Sequence, residues 1–192
     1  IRDSTAAVTL SGDKTKFYNI TVIEADFIVK QRDATITINE IKDIVYGDKV
    51  PDLSAKVDGV LDGDKLSYTL ETDYTVGKKP GNYTARVEFN PEAAENKNYA
   101  INTTGRTFNV GTKALEIKLD SNVSVGNIAK TYTVEVGSQD LVIGELATGD
   151  VIEGSVSITS SEGGTFVDDK AFQKNIVIKN AAGEVVTAYY EI

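Results

Sequence analysis

The sequence contains no histidine, cysteine, methionine or tryptophan. Without histidine it lacks the usual general base at neutral pH, and without cysteine it lacks a thiol nucleophile, a disulfide and the common soft zinc ligand. Basic residues are also few, because 20 lysines and arginines face 29 acidic residues and leave a formal net charge of -9. Phosphate binding depends on clustered basic side chains. We therefore expect a protein that is not an enzyme, has no catalytic residues and binds no nucleic acid.

Long apolar runs are absent as well. No stretch approaches the roughly 20 apolar residues that span a bilayer as a helix, so we expect no membrane insertion. The length of 192 residues suits one large domain or two small ones. Absence of cysteine excludes a disulfide scaffold but does not fix a cellular compartment.

The sequence is instead rich in alternating apolar and polar residues. The stretch ATITINEIKDIVYG, which begins at Ala34, and the stretch NYTARVEF, which begins at Asn82, have the period of two that is typical of half-buried strands. Short strands separated by Asp-Gly and Pro-Gly turns indicate an antiparallel sandwich or barrel. We predict an all-β fold. NPEAAENKN, Asn90–Asn98, is the best candidate for a helix, of no more than one turn.

An internal repeat divides the chain. It pairs Tyr18 with Tyr99, Phe27 with Phe108 and Ile36 with Ile117, at an offset of 81 residues (99 minus 18). A third Tyr-x-Ile begins at Tyr190, 91 residues after Tyr99 (190 minus 99), and a second similarity pairs Asp64 with Asp150. We predict the closing strands of a preceding unit at 1–31, a complete unit at 32–112 and a divergent unit at 113–192.

The first predicted unit lacks its opening strands and the last lacks its closing strand. Two explanations stay open. The sequence is a piece of a longer array, or its N-terminal segment completes the sheet of a neighbouring molecule through an unpaired edge strand, as in donor-strand assembly.

The motifs of the middle unit resemble the MBG-type repeats, and the related YDG-type repeats, of bacterial surface proteins. The matching positions, in chain order, are Tyr46, Gly47, Asp48, Pro51, Gly63, Asp64, Gly81, Tyr83, Tyr99 and Ile101. The resemblance implies tandem immunoglobulin-like antiparallel β-sandwich units, used as stalks or spacers in extracellular adhesins and cell-wall proteins. The third unit departs from the pattern, because Asn127 stands 81 residues after Tyr46 (127 minus 46).

Three groups of residues are candidate sites. Tyr46-Gly47-Asp48 is interpreted as a structural corner, with a positive φ at Gly47, a side-chain bond from Asp48 to the turn, and Tyr46 closing one end of its sandwich. Acidic residues that could hold calcium are Asp58, Asp62 and Asp64, although their spacing is not that of an EF-hand loop. Aromatic residues that could contact a glycan are Tyr74, Tyr132 and Tyr189.

These observations favour a non-catalytic spacer of a bacterial surface protein, extracellular or secreted, whose partners are neighbouring repeats of the same chain. Two alternatives remain. One is a filament or S-layer subunit that self-associates through an edge strand. The other is a module whose third unit binds a carbohydrate or a host protein.

Overall fold

The computed structural model describes residues 2–5, 11–12, 17–19, 21, 26–120, 123–125, 130–160, 164–166 and 172–192. These residues contain several β-sheets, a 3-10 turn at Thr187–Tyr189 and no α-helix. The all-β prediction is confirmed. The strands are β1 Arg2–Thr5, β2 Asp26–Val29, β3 Arg32–Ile38, β4 Ile44–Val45, β5 Ala55–Asp58, β6 Thr69–Thr72, β7 Gly81–Glu88, β8 Tyr99–Thr104, β9 Arg106–Gly111, β10 Lys113–Ala114, β11 Ile117–Leu119, β12 Val123–Val125, β13 Lys130–Glu135, β14 Leu141–Ile143, β15 Val151–Ser160, β16 Gly164–Phe166, β17 Phe172–Lys179 and β18 Tyr190–Glu191.

The segment Asn90–Asn98 forms consecutive turns rather than the predicted helical turn. Its centre is the fully buried side chain of Asn96. The Asn96 amide nitrogen donates to the carbonyl oxygens of Ser67 and Asn90, at 2.8 Å each, and its oxygen accepts from the Ser67 N–H at 2.9 Å. Nucleating a helix over so few residues is costly. The segment therefore folds around one side chain that substitutes for missing backbone partners.

The chain divides into two compact units that interleave along the sequence. The first contains Ile1–Asn39, Leu53–Glu71 and Arg86–Gly105, and the second contains Glu40–Asp52, Thr72–Ala85 and Arg106–Ile192. This division does not test the predicted boundaries at 31 and 112, which stay predictions.

In the first unit, β3 is the central strand of a three-stranded sheet. It pairs antiparallel with β5 and parallel with β8, and its inward-facing residues Ala34, Ile36 and Ile38 are almost wholly buried. The same unit contains an antiparallel ribbon of β1 and β2, in which Arg2 faces Val29 and Ser4 faces Phe27. The apolar side chains of β2 are exposed, unlike those of β3.

In the second unit, β9 pairs antiparallel with β7 and parallel with β4. The later strands form the pairs β10–β18, β11–β14 and β12–β16 and the sheet β13–β15–β17. The described residues of this unit contain three apolar clusters, two of which share the half-buried Ile117. The largest contains the buried residues Tyr46, Leu115, Ala147, Ile178, Val186 and Tyr190.

Strand pairing recurs between the two halves of the chain. Arg32 lies opposite Tyr99 in the parallel pair β3–β8, and Lys113 lies opposite Tyr190 in the parallel pair β10–β18. The sequence offsets of these residues are 81 (113 minus 32) and 91 (190 minus 99). Residues that the internal repeat makes equivalent therefore also occupy equivalent positions in the two parallel strand pairs.

The sheets are mixed, whereas the spacing of the strands predicted antiparallel sheets. The pairs β3–β8, β4–β9 and β10–β18 run parallel. Parallel neighbours need a long crossover connection between them. Short-range turn signals, from which the antiparallel prediction was made, do not report such connections.

Candidate functional site

Two polar corners carry most of the described bonds between tyrosine and aspartate. The first, the Asp64 corner, consists of Leu61, Gly63, Asp64 and Tyr99. A turn closes when the Asp64 N–H donates to the Leu61 carbonyl oxygen at 3.0 Å, with Gly63 at φ +89°. The Tyr99 hydroxyl donates to Asp64 Oδ2 at 2.5 Å and accepts from the Leu61 N–H at 3.2 Å. One buried tyrosine thus fixes both the turn backbone and its carboxylate.

The second, the Asp150 corner, consists of Ala147, Gly149, Asp150 and Tyr190. The Asp150 N–H donates to the Ala147 carbonyl oxygen at 3.0 Å, and Gly149 has a φ of +89°. The Tyr190 hydroxyl donates to Asp150 Oδ2 at 2.7 Å and accepts from the Ala147 N–H at 2.9 Å. Every bond of the Asp64 corner is repeated, which confirms the pairing of Asp64 with Asp150 and of Tyr99 with Tyr190.

The Asp150 corner differs from the Asp64 corner because Tyr46 packs into it. Tyr46 is 1% exposed, and its ring lies edge-on to Tyr189 and Tyr190, with centroid distances of 5.0 and 5.5 Å. Its hydroxyl is 3.5 Å from Asp150 Oδ1, the carboxylate oxygen that Tyr190 does not use. Edge-on aromatic pairs stabilise beyond the area that they bury.

Strand β4 positions Tyr46 in the Asp150 corner. Ile44 pairs in parallel with Val110, and the Tyr46 N–H continues the ladder by donating to the Gly111 carbonyl oxygen at 2.9 Å. The chain then turns, because the Asp48 N–H donates to the Val45 carbonyl oxygen at 3.0 Å and Asp48 Oδ2 accepts from the Val45 N–H at 3.0 Å. The predicted bond from Asp48 to the turn backbone is therefore confirmed.

Gly47 is required at this turn for two reasons. Its φ of +86° lies in the left-handed region, as predicted, where a Cβ is unfavourable. A Cβ at Gly47 would also lie 2.5 Å from the Cβ of Ala147. The sequence predicted the first reason but not the second. The sequence analysis placed Tyr46 at the end of the sandwich formed by the middle unit, whereas the other buried residues of the Tyr46 cluster all come after position 112.

The tyrosines of both corners are held as neutral hydrogen-bond donors. Burial first, and then the Asp150 carboxylate, raise the pKa of Tyr46 to about 12. Burial, with the hydrogen bond to Asp150, also raises the pKa of Tyr190, and the hydrogen bond to Asp64 raises the pKa of Tyr99. A general base or nucleophile needs a pKa near the working pH. These pKa shifts run in the opposite direction, so the arrangement suits packing rather than proton transfer.

The predicted aromatic contacts do not come together. Tyr74 is 1% exposed, and its hydroxyl donates to the Asp48 carbonyl oxygen at 2.9 Å, so its burial does not support the prediction that it contacts a ligand. Tyr74 lies in the loop after β6, where alternation no longer applies, and it packs in a cluster with Tyr83 and Phe108. Tyr132 and Tyr189 are half-buried in two other clusters, and for them ligand contact stays a prediction.

The three candidate calcium ligands have different surroundings. Asp58 forms an exposed ion pair with Lys56 at 2.9 Å, and Asp64 accepts the Tyr99 hydroxyl. Asp62 lies in the turn before Gly63. Within the described residues no three carboxylates gather into a group that could hold a metal ion. Calcium binding by Asp58, Asp62 and Asp64 stays a prediction that this geometry does not support.

The remaining motif residues have structural positions. Gly81 begins β7, and the Tyr83 hydroxyl donates to the Lys79 carbonyl oxygen at 2.7 Å. Ile101 is half-buried in β8, and Pro51 lies outside any strand. Asn127 lies outside the described residues.

Sequence reasoning missed Asn96 and Ala147. A polar residue in a predicted helical turn gives no sign of burial, and only its bonds to Ser67 and Asn90 explain why Asn96 is enclosed. Ala147 had a usable signal, because it stands three residues before Asp150 as Leu61 stands three residues before Asp64.

Comparisons with known proteins bear on one segment of the chain. No helix among the described residues has both the length and the apolar character needed to cross a membrane. No curated protein and no solved structure matches the chain. Residues 34–109, however, match the family model of the MBG domain (YGX type), so this segment is an MBG domain, as its motifs indicated.

Proposed function

We propose that this chain is a non-catalytic spacer of a bacterial surface adhesin or cell-wall protein, extracellular or secreted. MBG domains are repeat modules typical of bacterial surface proteins. The proposed role is mechanical. Successive immunoglobulin-like units hold a fixed mutual orientation and project another part of the protein from the surface.

The observation that carries the proposal is the burial of the Tyr46-Gly47 turn in the Asp150 corner. Tyr46 comes from the MBG domain, whereas Ala147, Asp150 and Tyr190 come from the following segment. A flexible tether would leave such a side chain in water. A 1% exposed tyrosine in contact with two other aromatic rings restricts rotation between the segments that it joins.

Charge and surface composition agree with a spacer. The net charge of -9 makes neighbouring copies repel one another. Glycan binding would need an exposed aromatic platform, and Tyr74, one of the three candidates, is buried. The burial of Tyr74 thus supports a spacer rather than a carbohydrate site at this residue.

The test measures whether the orientation is fixed. Because the chain has no cysteine, spin labels can be attached at two introduced cysteines only. Thr107→Cys and Val185→Cys replace exposed residues on either side of the Tyr46 contact. Pulsed electron resonance should give a narrow distribution of label distances, and Tyr46→Ala should broaden it while circular dichroism still shows a folded chain.

A broad distribution in the unsubstituted chain would contradict the spacer. The alternative of a binding module has its own readout. Reproducible hits on a glycan array, lost when Tyr132 or Tyr189 is replaced, would favour carbohydrate binding instead.

A further inference from the structure

The Asp64 corner has an open pocket where the Asp150 corner holds Tyr46. This pocket has a volume of about 510 Å³, and its lining includes Val29–Arg32, Leu61, Asp64 and Tyr99. Asp64 Oδ2 accepts the Tyr99 hydroxyl, while Oδ1 accepts a bond from no described residue. The free oxygen is the counterpart of Asp150 Oδ1, which faces the Tyr46 hydroxyl. The two corners therefore have the same construction, and one of them lacks its third aromatic ring.

The strand that leads into this pocket also lacks a neighbour. In the β1–β2 ribbon, Arg2 faces Val29 and Ser4 faces Phe27, which is the register in which Gly81 faces Val110 and Tyr83 faces Phe108 in β7–β9. Strand β9 has β4 on its other edge, whereas β2 pairs only with β1 among the described residues.

The apolar side chains of β2 show the same difference. Phe27 and Val29 are 51% and 49% exposed, and their counterparts Phe108 and Val110 are 3% and 1% exposed. An uncovered strand with unpaired backbone groups is a template for another strand. Here the covered counterpart shows which strand fits, namely a short parallel strand like β4.

The free edge of β2 leads into the pocket at the Asp64 corner in the same way that the edge of β9 leads to Tyr46 in the Asp150 corner. In the occupied site the Tyr46 N–H donates to the carbonyl oxygen of Gly111, the residue that follows Val110. The counterpart of Gly111 is Lys30, 81 residues earlier (111 minus 30), and Lys30 lines the pocket. A strand that pairs in parallel with β2 would therefore bring its next residue to the Asp64 corner.

We propose that the free edge of β2 and the Asp64 corner form a binding site for an extended segment of the form apolar-apolar-Tyr-Gly, supplied by another repeat of this kind. The segment pairs its backbone with Phe27–Lys30, and its tyrosine hydroxyl donates to Asp64 Oδ1. Its glycine passes Leu61, the counterpart of Ala147, where a side chain would collide. Recognition combines β-strand addition with one aromatic anchor.

This proposal rests on the proposed spacer function in one respect only, namely that the bound segment comes from another repeat of the same kind. The spin-label experiment tests the Tyr46 contact in the Asp150 corner, and the experiment below tests the Asp64 corner. Each can fail while the other succeeds.

The test titrates a synthetic peptide copy of residues 40–52, EIKDIVYGDKVPD, into the full isotope-labelled chain and follows backbone amide shifts. Saturable shifts are expected at Lys30–Arg32, Leu61 and Asp64, with a dissociation constant on the order of 1 mM for so short a segment. Amides at Ala147 and Asp150 should not shift, because the chain's own Tyr46 already fills that corner.

Controls are made in the peptide, so the fold of the chain is unaffected. A peptide with phenylalanine in place of tyrosine loses the bond to the Asp64 carboxylate and should bind about tenfold more weakly. Replacing the same tyrosine by alanine should abolish the shifts. A scrambled peptide controls for composition.

Three results would overturn the proposal. One is the absence of saturable shifts at about 5 mM peptide, several times the dissociation constant of roughly 1 mM expected above. Another is equal binding by the alanine peptide. The third is displacement of the peptide by oligosaccharides that shift the same amides, because the pocket would then recognise a different chemistry.

Discussion

Gly47→Ala tests the contact between the MBG domain and the segment that follows it. Alanine at a φ of +86° costs about 1–2 kcal/mol in backbone strain. Its Cβ, placed 2.5 Å from the Cβ of Ala147, adds about 1–3 kcal/mol of overpacking. The expected loss in the free energy of unfolding is therefore about 2–5 kcal/mol, the sum of these two terms.

A matched control separates the two terms. Gly63 has a φ of +89°, and a Cβ there would meet nothing within 4 Å. Gly63→Ala should cost only the backbone term, about 1–2 kcal/mol. The difference between the two substitutions then measures the collision with Ala147.

Ala147→Gly should rescue Gly47→Ala, because it removes the methyl group with which the new Cβ collides. Alone, Ala147→Gly costs about 1 kcal/mol, from the lost buried methyl and the added chain freedom. Combined with Gly47→Ala, the loss should be smaller than the sum of the single losses by about 1–3 kcal/mol.

The assay is urea unfolding followed by tyrosine fluorescence, which no tryptophan obscures. Stabilities are compared from midpoints at a common slope. If the double variant is simply additive, or if Gly47→Ala costs no more than Gly63→Ala, Gly47 does not pack against Ala147 and the reasoning fails.

Three further predictions test other parts of the structure. Tyr190→Phe leaves the Ala147 N–H without its acceptor and should lower the free energy of unfolding in urea by about 1–3 kcal/mol. The hydroxyl of Tyr189 bonds to no described residue, so Tyr189→Phe should cost much less. Equal losses for the two variants would argue against the hydrogen bonds of the Asp150 corner. Asn96→Ala breaks three side-chain hydrogen bonds and should cost about 3 kcal/mol in thermal unfolding, and an unchanged melting temperature would refute its role. Raising the pH should also destabilise the chain, because the pKa of Tyr46 is about 12 in the folded chain and about 10 for an ordinary tyrosine. The contribution of Tyr46 to stability is therefore complete below pH 10 and is lost at about 1.4 kcal/mol per pH unit from there to about 12. Tyr46→Phe should flatten this decline in the urea midpoint, and an equally steep decline would contradict the assignment.

Strands and corners could be predicted because their signals are local. NYTARVEF gave β7, Gly81–Glu88, since its side chains alternate between buried and exposed positions. The turn at Gly47 followed from the left-handed conformation that glycine tolerates, and the pairing of Asp64 with Asp150 followed from internal repetition. Each of these needs only neighbouring residues or a comparison within the sequence.

Partners across long separations could not be predicted in this way. Tyr46 and Asp150 are 104 residues apart, and nothing local to either residue names the other. The burial of Tyr74 could not be predicted because this residue lies beyond the end of β6 and is covered by Tyr83 and Phe108. Burial of Asn96 depends on the unpaired backbone groups of Ser67 and Asn90, which exist only once the chain has folded.

The parallel pairs β3–β8 and β10–β18 have a consequence for tension along the chain. In each pair the chain enters at the start of one strand, at Arg32 or Lys113, and leaves beyond the far end of the other. Pulling on the chain therefore drives the two strands past each other along their length. The hydrogen bonds between them share the load and break together, whereas bonds pulled apart from one end break in sequence. We expect high rupture forces in single-molecule stretching, and easy, stepwise extension at low force would refute this.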